Sequence, residues 1–268
     1  MLGAYLLYLA VWGLLTLLSS LLAKQEQTAL AMLTALWLAF ALLLPSLAVN
    51  NTARILPIAG QIETDLDMLE DLRKLGDGHN AADPAFARLR RDLFKEYGVD
   101  TAEELPVNLR GVVAEYSEAR LTETLNAYAD RRMALEREQA NLLAHHGWLT
   151  PVLAIAQASR AIAATDLGNH QRFLRAAEAL RFDFVQGLNR LHAQKLAYSD
   201  DIQRSRDKAA ERRTRIAAEN WRVLADFHFV PDSPGNRAKA ALPSLLALLV
   251  WFLALAAASF GVASALSR

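Results

Sequence analysis

Three long apolar segments and one long polar segment alternate along the chain. Residues 2–23 contain no charged side chain and would form a helix of about 33 Å, which matches a hydrocarbon core of about 30 Å. A second apolar run, residues 29–49, follows after a short polar stretch, and a third covers residues 240–266. The pattern predicts three transmembrane helices, with the first two forming a hairpin around a tight polar loop.

The charged residues lie almost entirely between the second and third apolar runs. The chain has 29 basic and 29 acidic side chains, and only Lys24 and Glu26 fall within residues 1–49. We therefore predict an all-α membrane protein with three domains: a transmembrane hairpin (1–49), a long, coiled-coil-like helical extramembrane domain (50–239) and a C-terminal transmembrane helix (240–268).

The first apolar run differs from a cleaved export signal. No basic region precedes Leu2, the run is longer than a typical signal core, and a second apolar run follows almost at once. We expect the run to stay in the protein as a span. A chain that opens directly inside a span also indicates a piece of a larger membrane protein.

Helical spacing and capping residues recur throughout the polar segment. Asp83-Pro84 predicts a helix start and Gly98 its end, Thr101 with Glu104 forms a capping-box pattern, and Thr150-Pro151 begins a helix that continues to about Ala164. Two long helices are expected to pack antiparallel. The first runs from about Leu109 to His146 with apolar positions at Leu121, Leu125, Tyr128, Leu135 and Leu142, and the second follows Asp166 with a stripe from Phe173 to Leu191 and a charged continuation to about Asp226.

Composition removes several classes of function. Zero net charge gives no electrostatic argument for nucleic acid, and the absence of cysteine excludes disulfides and thiolate chemistry. His145 and His146 are adjacent, so they point about 100° apart on a helix and suit one metal ion poorly. Carboxylates such as Asp200 and Asp201 alternate with basic residues, which is typical of a solvated helix face. We therefore predict no catalytic, cofactor-binding or metal-binding residues and no enzyme activity.

Three motifs of the polar segment, in this order, carry a resemblance to a known family. They are Glu-Leu-Pro-Val-Asn-Leu-Arg-Gly (104–111), Gly-Trp-Leu-Thr-Pro (147–151) and Ala-Thr-Asp-Leu-Gly-Asn-His-Gln-Arg-Phe (164–173), together with the span–loop–span opening at 21–30. The chain resembles the C-terminal half of bacterial ABC-2 type transporter permeases, whose last two spans bracket a helical domain of unknown function. We expect the motif residues to build turns and the packing core of the insert: Leu105, Pro106, Asn108, Gly111, Gly147, Trp148, Pro151, Asp166, His170 and Phe173.

The resemblance implies a topology and a set of partners. Such permeases carry about six spans, so these three would be the last three, in a bacterial inner membrane with the insert on the extracytoplasmic side. The basic residues near the spans weakly favour the opposite sidedness. A separate ABC ATPase subunit would supply the energy, and the lipid bilayer and either a second permease copy or the missing N-terminal half would be further partners. The expected ATPase-contact loop is Lys24, Gln25 and Glu26, with Ser267 and Arg268 beside it.

A different class of function fits the same pattern. A membrane-anchored sensor or scaffold, whose helical insert binds a protein partner, also needs apolar anchors and a polar helical domain without catalytic residues. A gene for an ABC ATPase and the missing permease half beside this one would favour transport over this alternative.

Overall fold

Every regular element is helical within residues 1–223 and 226–267, the part of the chain that the computed structural model describes. Arg268, expected beside the ATPase-contact loop, lies outside these residues. The α-helices are α1 (Leu2–Leu22), α2 (Glu26–Leu38), α3 (Leu44–Ile55), α4 (Gln61–Arg73), α5 (Ala87–Tyr97), α6 (Leu109–His145), α7 (Pro151–Ala163), α8 (Leu167–Lys195), α9 (Tyr198–Gln203), α10 (Lys208–Arg213) and α11 (Pro234–Leu266).

Three helices are long and apolar enough to cross a membrane, as the sequence predicts: α1, the continuous helix Glu26–Ile55, and α11. A π-helical turn, Ala39–Leu43, joins α2 to α3 immediately before Pro45. Because proline removes a backbone donor and crowds the preceding turn, a local π-turn is an ordinary way to accommodate it. The helices extend beyond the apolar runs, since α3 continues to Ile55 and α11 begins at Pro234.

Local capping signals correctly predict three helix ends of the polar segment. The Asp83 carboxylate accepts from the Ala85 N–H, the Thr150 hydroxyl accepts from the Leu153 N–H, and Gly98 ends α5 with φ of 65°. The capping box at Thr101 is wrong, because the Thr101 side chain caps nothing and the Glu104 carboxylate instead accepts from the Asp100 N–H.

The prediction that the second long helix continues through the charged stretch to about Asp226 is also wrong. α8 ends at Lys195, and two short helices, α9 and α10, follow in place of one long helix. The Asp207 carboxylate starts α10 by accepting from the N–H groups of Ala209 and Ala210. A capping aspartate therefore restarts the helix inside a stretch that charge periodicity alone reads as continuous.

The chain divides into two compact units. Unit 1 comprises Met1–Ile58, Met133–Phe173 and Val230–Arg268, and unit 2 comprises Ala59–Arg132 and Leu174–Phe229. Unit 1 thus contains the three apolar helices together with α7. The compact units cut across the single range 50–239 that the hydropathy pattern assigns to one domain.

Small side chains hold α7 against α1 and α11 in unit 1. Ala154 and Ile155 of α7 pack with Ala247 and Leu248 of α11 and with Ala4 of α1. Ala158, also in α7, is fully buried in a further cluster. Because alanine lets helix backbones approach closely, the helices pack tightly at these positions, with Ile155 and Leu248 as the larger members of the contact.

Polar pairs hold α6 and α8 together in unit 2, where the expected antiparallel pairing is confirmed. The Arg181 guanidinium lies 2.7 Å from the Glu118 carboxylate, and the Gln186 side-chain amide donates to the Glu115 carbonyl at 3.0 Å. Near the start of α6, the Asn108 N–H donates to the Ala193 carbonyl at 2.7 Å. The apolar core of unit 2 lies around Phe86, Leu105, Leu109 and Val113.

Candidate functional site

A groove of about 450 Å³ lies in unit 1, between the end of α6, the turn after it, α7, the start of α8 and α11. Its volume is within the range of small-molecule sites. Its walls are formed largely by small and apolar side chains, and polar groups line part of it. Its lining includes Arg137, Ala144, Trp148, Arg160, Asp166 and Ala247.

Gly147 and Trp148 build the turn at one end of the groove. A Cβ at Gly147 would lie 2.6 Å from the Gln157 side-chain oxygen, so only glycine fits there without rearrangement. The Trp148 carbonyl accepts from the Trp251 indole N–H at 3.0 Å, which ties the turn to α11. Trp148 itself remains 48% exposed.

Three hydrogen bonds set the register between α7 with its preceding turn and α11. Besides the Trp148–Trp251 bond, the Ser244 hydroxyl donates to the Gln157 side-chain oxygen at 3.1 Å, and Arg237 donates to the Ile162 carbonyl at 3.2 Å. As the residue number rises in the first segment, it falls in the second. The two helices therefore run antiparallel, and both line the groove.

The polar part of the groove carries excess positive charge. Arg137 and Arg160 are exposed, and neither lies within 4.0 Å of a carboxylate in the described part of the chain. Arg160 donates one bond, at 3.1 Å, to the Ala156 carbonyl of its own helix. The Asp166 carboxylate is occupied by Asn169, whose backbone N–H donates at 3.0 Å and whose side-chain amide donates at 2.6 Å. The arrangement suits an anionic group.

A second polar site, in unit 2, is centred on the buried carboxylate of Asp201. Its side chain is 0% exposed, and its Oδ2 lies 2.9 Å from His192 Nε2 and 3.3 Å from Asn108 Nδ2. Arg110 and Arg204 approach the same carboxylate at 3.9 and 3.4 Å. The site joins the start of α6, the end of α8 and α9, so it locks three helix ends together.

This carboxylate site fits structural support better than catalysis. The described residues give His192 no hydroxyl partner that it would activate as a nucleophile, and its hydrogen bond goes to Asp201. Gly111 lies next to the site, and a Cβ there would come within 2.3 Å of the Ala193 backbone nitrogen. The α6–α8 approach is therefore close enough to require glycine.

The sequence pattern does not reveal Asp201 and His192 as a pair. It predicts one solvated face for Asp200 and Asp201, and this is wrong for Asp201, because only Asp200 faces outward, where its carboxylate pairs with Arg213 at 2.7 Å. Nothing in the local sequence distinguishes the two neighbouring aspartates. The nine-residue spacing from His192 crosses the break between α8 and α9, so no helical periodicity links the pair.

The motif residues do not converge on one site. Leu105, Pro106, Asn108 and Gly111 belong to unit 2, whereas Gly147, Trp148, Pro151, Asp166, His170 and Phe173 belong to unit 1. Asn108 and Pro151 are buried, but Phe173 is 41% exposed and His170 is also exposed. The loop residues Lys24, Gln25 and Glu26 are exposed between α1 and α2, and their contact with an ATPase stays a prediction.

Charge pairing in unit 2 shifts several carboxyl pKa values downward. A hydrogen bond from Tyr128, at 2.7 Å, and a second from Lys74 lower the pKa of Asp71. Hydrogen bonding from Arg181 likewise lowers the pKa of Glu178. These groups remain charged across the neutral range. Among the described residues, no group of three or more His, Asp or Glu side chains is arranged to hold a metal ion.

The fold defines a class: an all-helical protein in which a polar helical segment separates two candidate spans from a third. The model of a family described as a domain of unknown function, DUF3526, matches residues 61–230, and the chain belongs to that family. No curated protein and no solved structure matches the chain.

Proposed function

We propose that the chain is a membrane-spanning permease subunit, or the C-terminal part of one, of an ABC-2 type ATP-driven transporter. One observation carries the proposal: α1 and α2 are joined by only three residues, and the family domain lies between the second and third candidate spans. The order of sequence motifs that resembles such permeases supports it further. The insert faces the extracytoplasmic side of a bacterial inner membrane in this proposal.

The number of membrane crossings supports a role for the short loop in contacting the ATPase. If all three apolar helices span, the loop Ala23–Gln25 and the end of α11 lie on one face of the membrane, and both ends of the insert lie on the other. The exposed residues Lys24, Gln25 and Glu26 are then placed where an ATPase on the cytoplasmic face would dock.

The contacts of α7 offer a route for mechanical coupling. The bonds Trp148–Trp251 and Gln157–Ser244 fix α7 to α11, and Tyr5 of α1 lies 3.0 Å from the Ser159 hydroxyl. A rigid shift of α1 or α11, driven by ATP binding in the partner subunit, would therefore move α7 with it. The insert would change position on the extracytoplasmic side as the spans move.

Co-expression with the ABC ATPase encoded nearest to this chain tests the partnership. We expect co-elution from detergent and a vanadate-sensitive hydrolysis rate that this subunit changes. The variant Lys24→Glu with Gln25→Glu should lose co-elution, and Lys95→Glu, at an exposed site of α5, should not. A chain that stays in the membrane fraction but elutes alone, with hydrolysis unchanged even when any N-terminal permease half encoded beside it is co-expressed, would contradict the transporter proposal and favour the sensor or scaffold.

Single cysteines test sidedness, since the chain has none of its own. In intact spheroplasts, we expect a membrane-impermeant maleimide to label Glu103→Cys in the insert and to spare Gln25→Cys in the short loop. Labelling only at Gln25→Cys would place the insert in the cytoplasm. Both cysteines should react after the membrane is permeabilised, which controls for accessibility.

A further inference from the structure

Residues 139–159 contain no Asp, Glu, Lys or Arg, although the polar segment around them is dense in charge. In the structure this stretch is the end of α6, the His146–Trp148 turn and most of α7, so it forms a helical hairpin. Trp148 and Leu149 at the tip of the hairpin are 48% and 47% exposed. An uncharged hairpin with an exposed apolar tip is suited to an apolar environment.

The register with α11 shows how far the hairpin reaches along the candidate span. Its tip is bonded to Trp251, and Arg237 bonds to the other end of α7. Between Lys239, the last charged residue of α11, and Trp251 the helix rises about 18 Å, roughly half of a hydrocarbon core. If α11 spans the bilayer, the hairpin lies beside its apolar part and reaches about the middle of the hydrocarbon core.

The groove described above lies along this hairpin and has two chemically different parts. Arg160 directly follows the uncharged stretch, and Arg137 precedes it with Glu138 between them. Both arginines line the groove, as does Asp166, and neither arginine has a carboxylate within ion-pair distance in the described residues. Ala144, Trp148 and Ala247 line it further along the hairpin. An anionic group beside an apolar chain matches this order of side chains. Guanidinium groups bind phosphate through charge-assisted hydrogen bonds.

We infer that this groove binds one anionic phospholipid, with its phosphate at Arg137 and Arg160 and the first part of its acyl chains against Ala144 and Ala247. The inference rests on the bilayer placement in the proposed function, and it needs no ATPase partner. The same phosphate chemistry occurs in free inorganic phosphate, so the test separates these two sources. A bound lipid would fill the space between α6, α7 and α11 and hold the hairpin against the span.

Lipid titration of the full chain tests the inference. The delipidated protein in dodecyl maltoside is titrated with dioleoyl phosphatidylglycerol, dioleoyl phosphatidylcholine or inorganic phosphate, and bound molecules are counted by native mass spectrometry. We expect one phosphatidylglycerol bound at least about tenfold more tightly than phosphatidylcholine, and about tenfold weaker binding for Arg137→Gln and for Arg160→Gln. Arg91→Gln, at an exposed arginine of α5, removes the same charge and should bind as the unmodified chain does.

A variant that keeps both arginines tests the apolar part of the groove. Ala144→Trp fills the space beside the hairpin, and we expect phosphatidylglycerol binding to be lost while helicity by circular dichroism is unchanged. Equal binding of the two lipids, full binding by both arginine variants or full binding by Ala144→Trp would overturn the inference. Competition by millimolar inorganic phosphate would also overturn it, since the groove would then be a free-anion site.

Alkaline carbonate extraction separates this inference from the proposed function. A chain released from membrane vesicles by carbonate would contradict the bilayer placement, and both the proposed function and the lipid site would fall. A chain that resists extraction but shows no preference for phosphatidylglycerol would overturn the lipid site alone.

Discussion

The two compact units keep their helices together by different chemistry. In unit 1, α7 meets α11 through alanines, including the fully buried Ala154 and Ala158, and polar groups add a few bonds that set the register. In unit 2, α6 meets α8 through ion pairs such as Arg181–Glu118 and through the buried carboxylate of Asp201.

The difference indicates how each unit tolerates change. Alanine contacts depend on shape, so added volume is their weak point. Ion pairs and buried carboxylates depend on every partner being present and in its proper charge state. Their weak point is therefore the removal of one partner or a change of pH. Hydrogen exchange resolved by segment follows each unit separately, so variants in the two units test this contrast.

The largest effect is expected at the buried carboxylate of unit 2. Asp201→Ala leaves the buried Asn108 amide and the part-buried His192 ring without their shared acceptor, and each buried donor left unsatisfied costs about 1–3 kcal/mol. The free energy of local opening, measured by hydrogen exchange at the end of α8 and in α9, should fall by about that amount.

The neighbouring aspartate supplies the control. Asp200→Ala removes a carboxylate whose side chain is 22% exposed and whose partner Arg213 is 54% exposed. Exposed ion pairs contribute at most about 1 kcal/mol, so this variant should change little. Equal losses for the two variants would show that burial of Asp201 does not set its importance.

Added volume in the alanine contact should have the next largest effect. Ala158→Leu inserts three carbon atoms at a fully buried position between α7 and α11, and overpacking of this kind costs about 1–3 kcal/mol. The melting temperature in detergent should fall, and amides of α7 should exchange faster. Ala163→Leu, at an exposed position of the same helix, is the matched control. An unchanged melting temperature for Ala158→Leu would show that the contact is loosely packed.

A smaller effect is expected from the cap that starts α7. Thr150→Ala removes the hydroxyl that accepts from the Leu153 N–H, at a fully buried position, and loss of such a cap costs about 1 kcal/mol. Thr101→Ala is the comparison, because the Thr101 side chain makes no cap hydrogen bond. Exchange in the first turn of α7 should rise for the first variant only. A similar change near residue 101 would mean that the capping-box interpretation is correct after all.

These positions also show what the sequence predicts and what it does not. The cap at Thr150 and the end at Gly98 depend on residues within one turn, so local rules find them. Three apolar helices follow from hydropathy in the same way. The burial of Asp201 depends on helix ends that meet only in the fold, so it is invisible in a solvated charge pattern.

The grouping of α7 with the apolar helices is a further feature that local rules miss. α7 is too short for a span, and its alanines are compatible with many helix partners. Its place is decided by matched positions on α11, such as Ser244 and Trp251, which lie about 90 to 100 residues away. No periodicity within α7 encodes such a match.

As the pH is lowered, unit 2 should lose stability before the α7–α11 contact does. Near neutral pH this effect is the smallest of those predicted. Hydrogen bonds from Arg181 hold the folded pKa of Glu178 below its unfolded value, and Arg213 does the same for Asp200. Stability from such groups is fully present above their unfolded pKa values, near 4, and is lost as the pH falls through the folded ones.

The α7–α11 contact has no comparable dependence, because it consists of apolar packing and of hydrogen bonds, such as Ser244–Gln157, that involve no carboxyl group. Protection factors, corrected for the intrinsic exchange rate, should therefore fall in residues 109–132 and 174–195 between pH 5 and pH 3, while those of residues 151–163 stay constant. Glu178→Gln should flatten part of the unit 2 response, because a neutral amide cannot titrate. Parallel loss of protection in both regions would mean that one cooperative transition governs both. The different contacts in the two units would then not give them different stabilities.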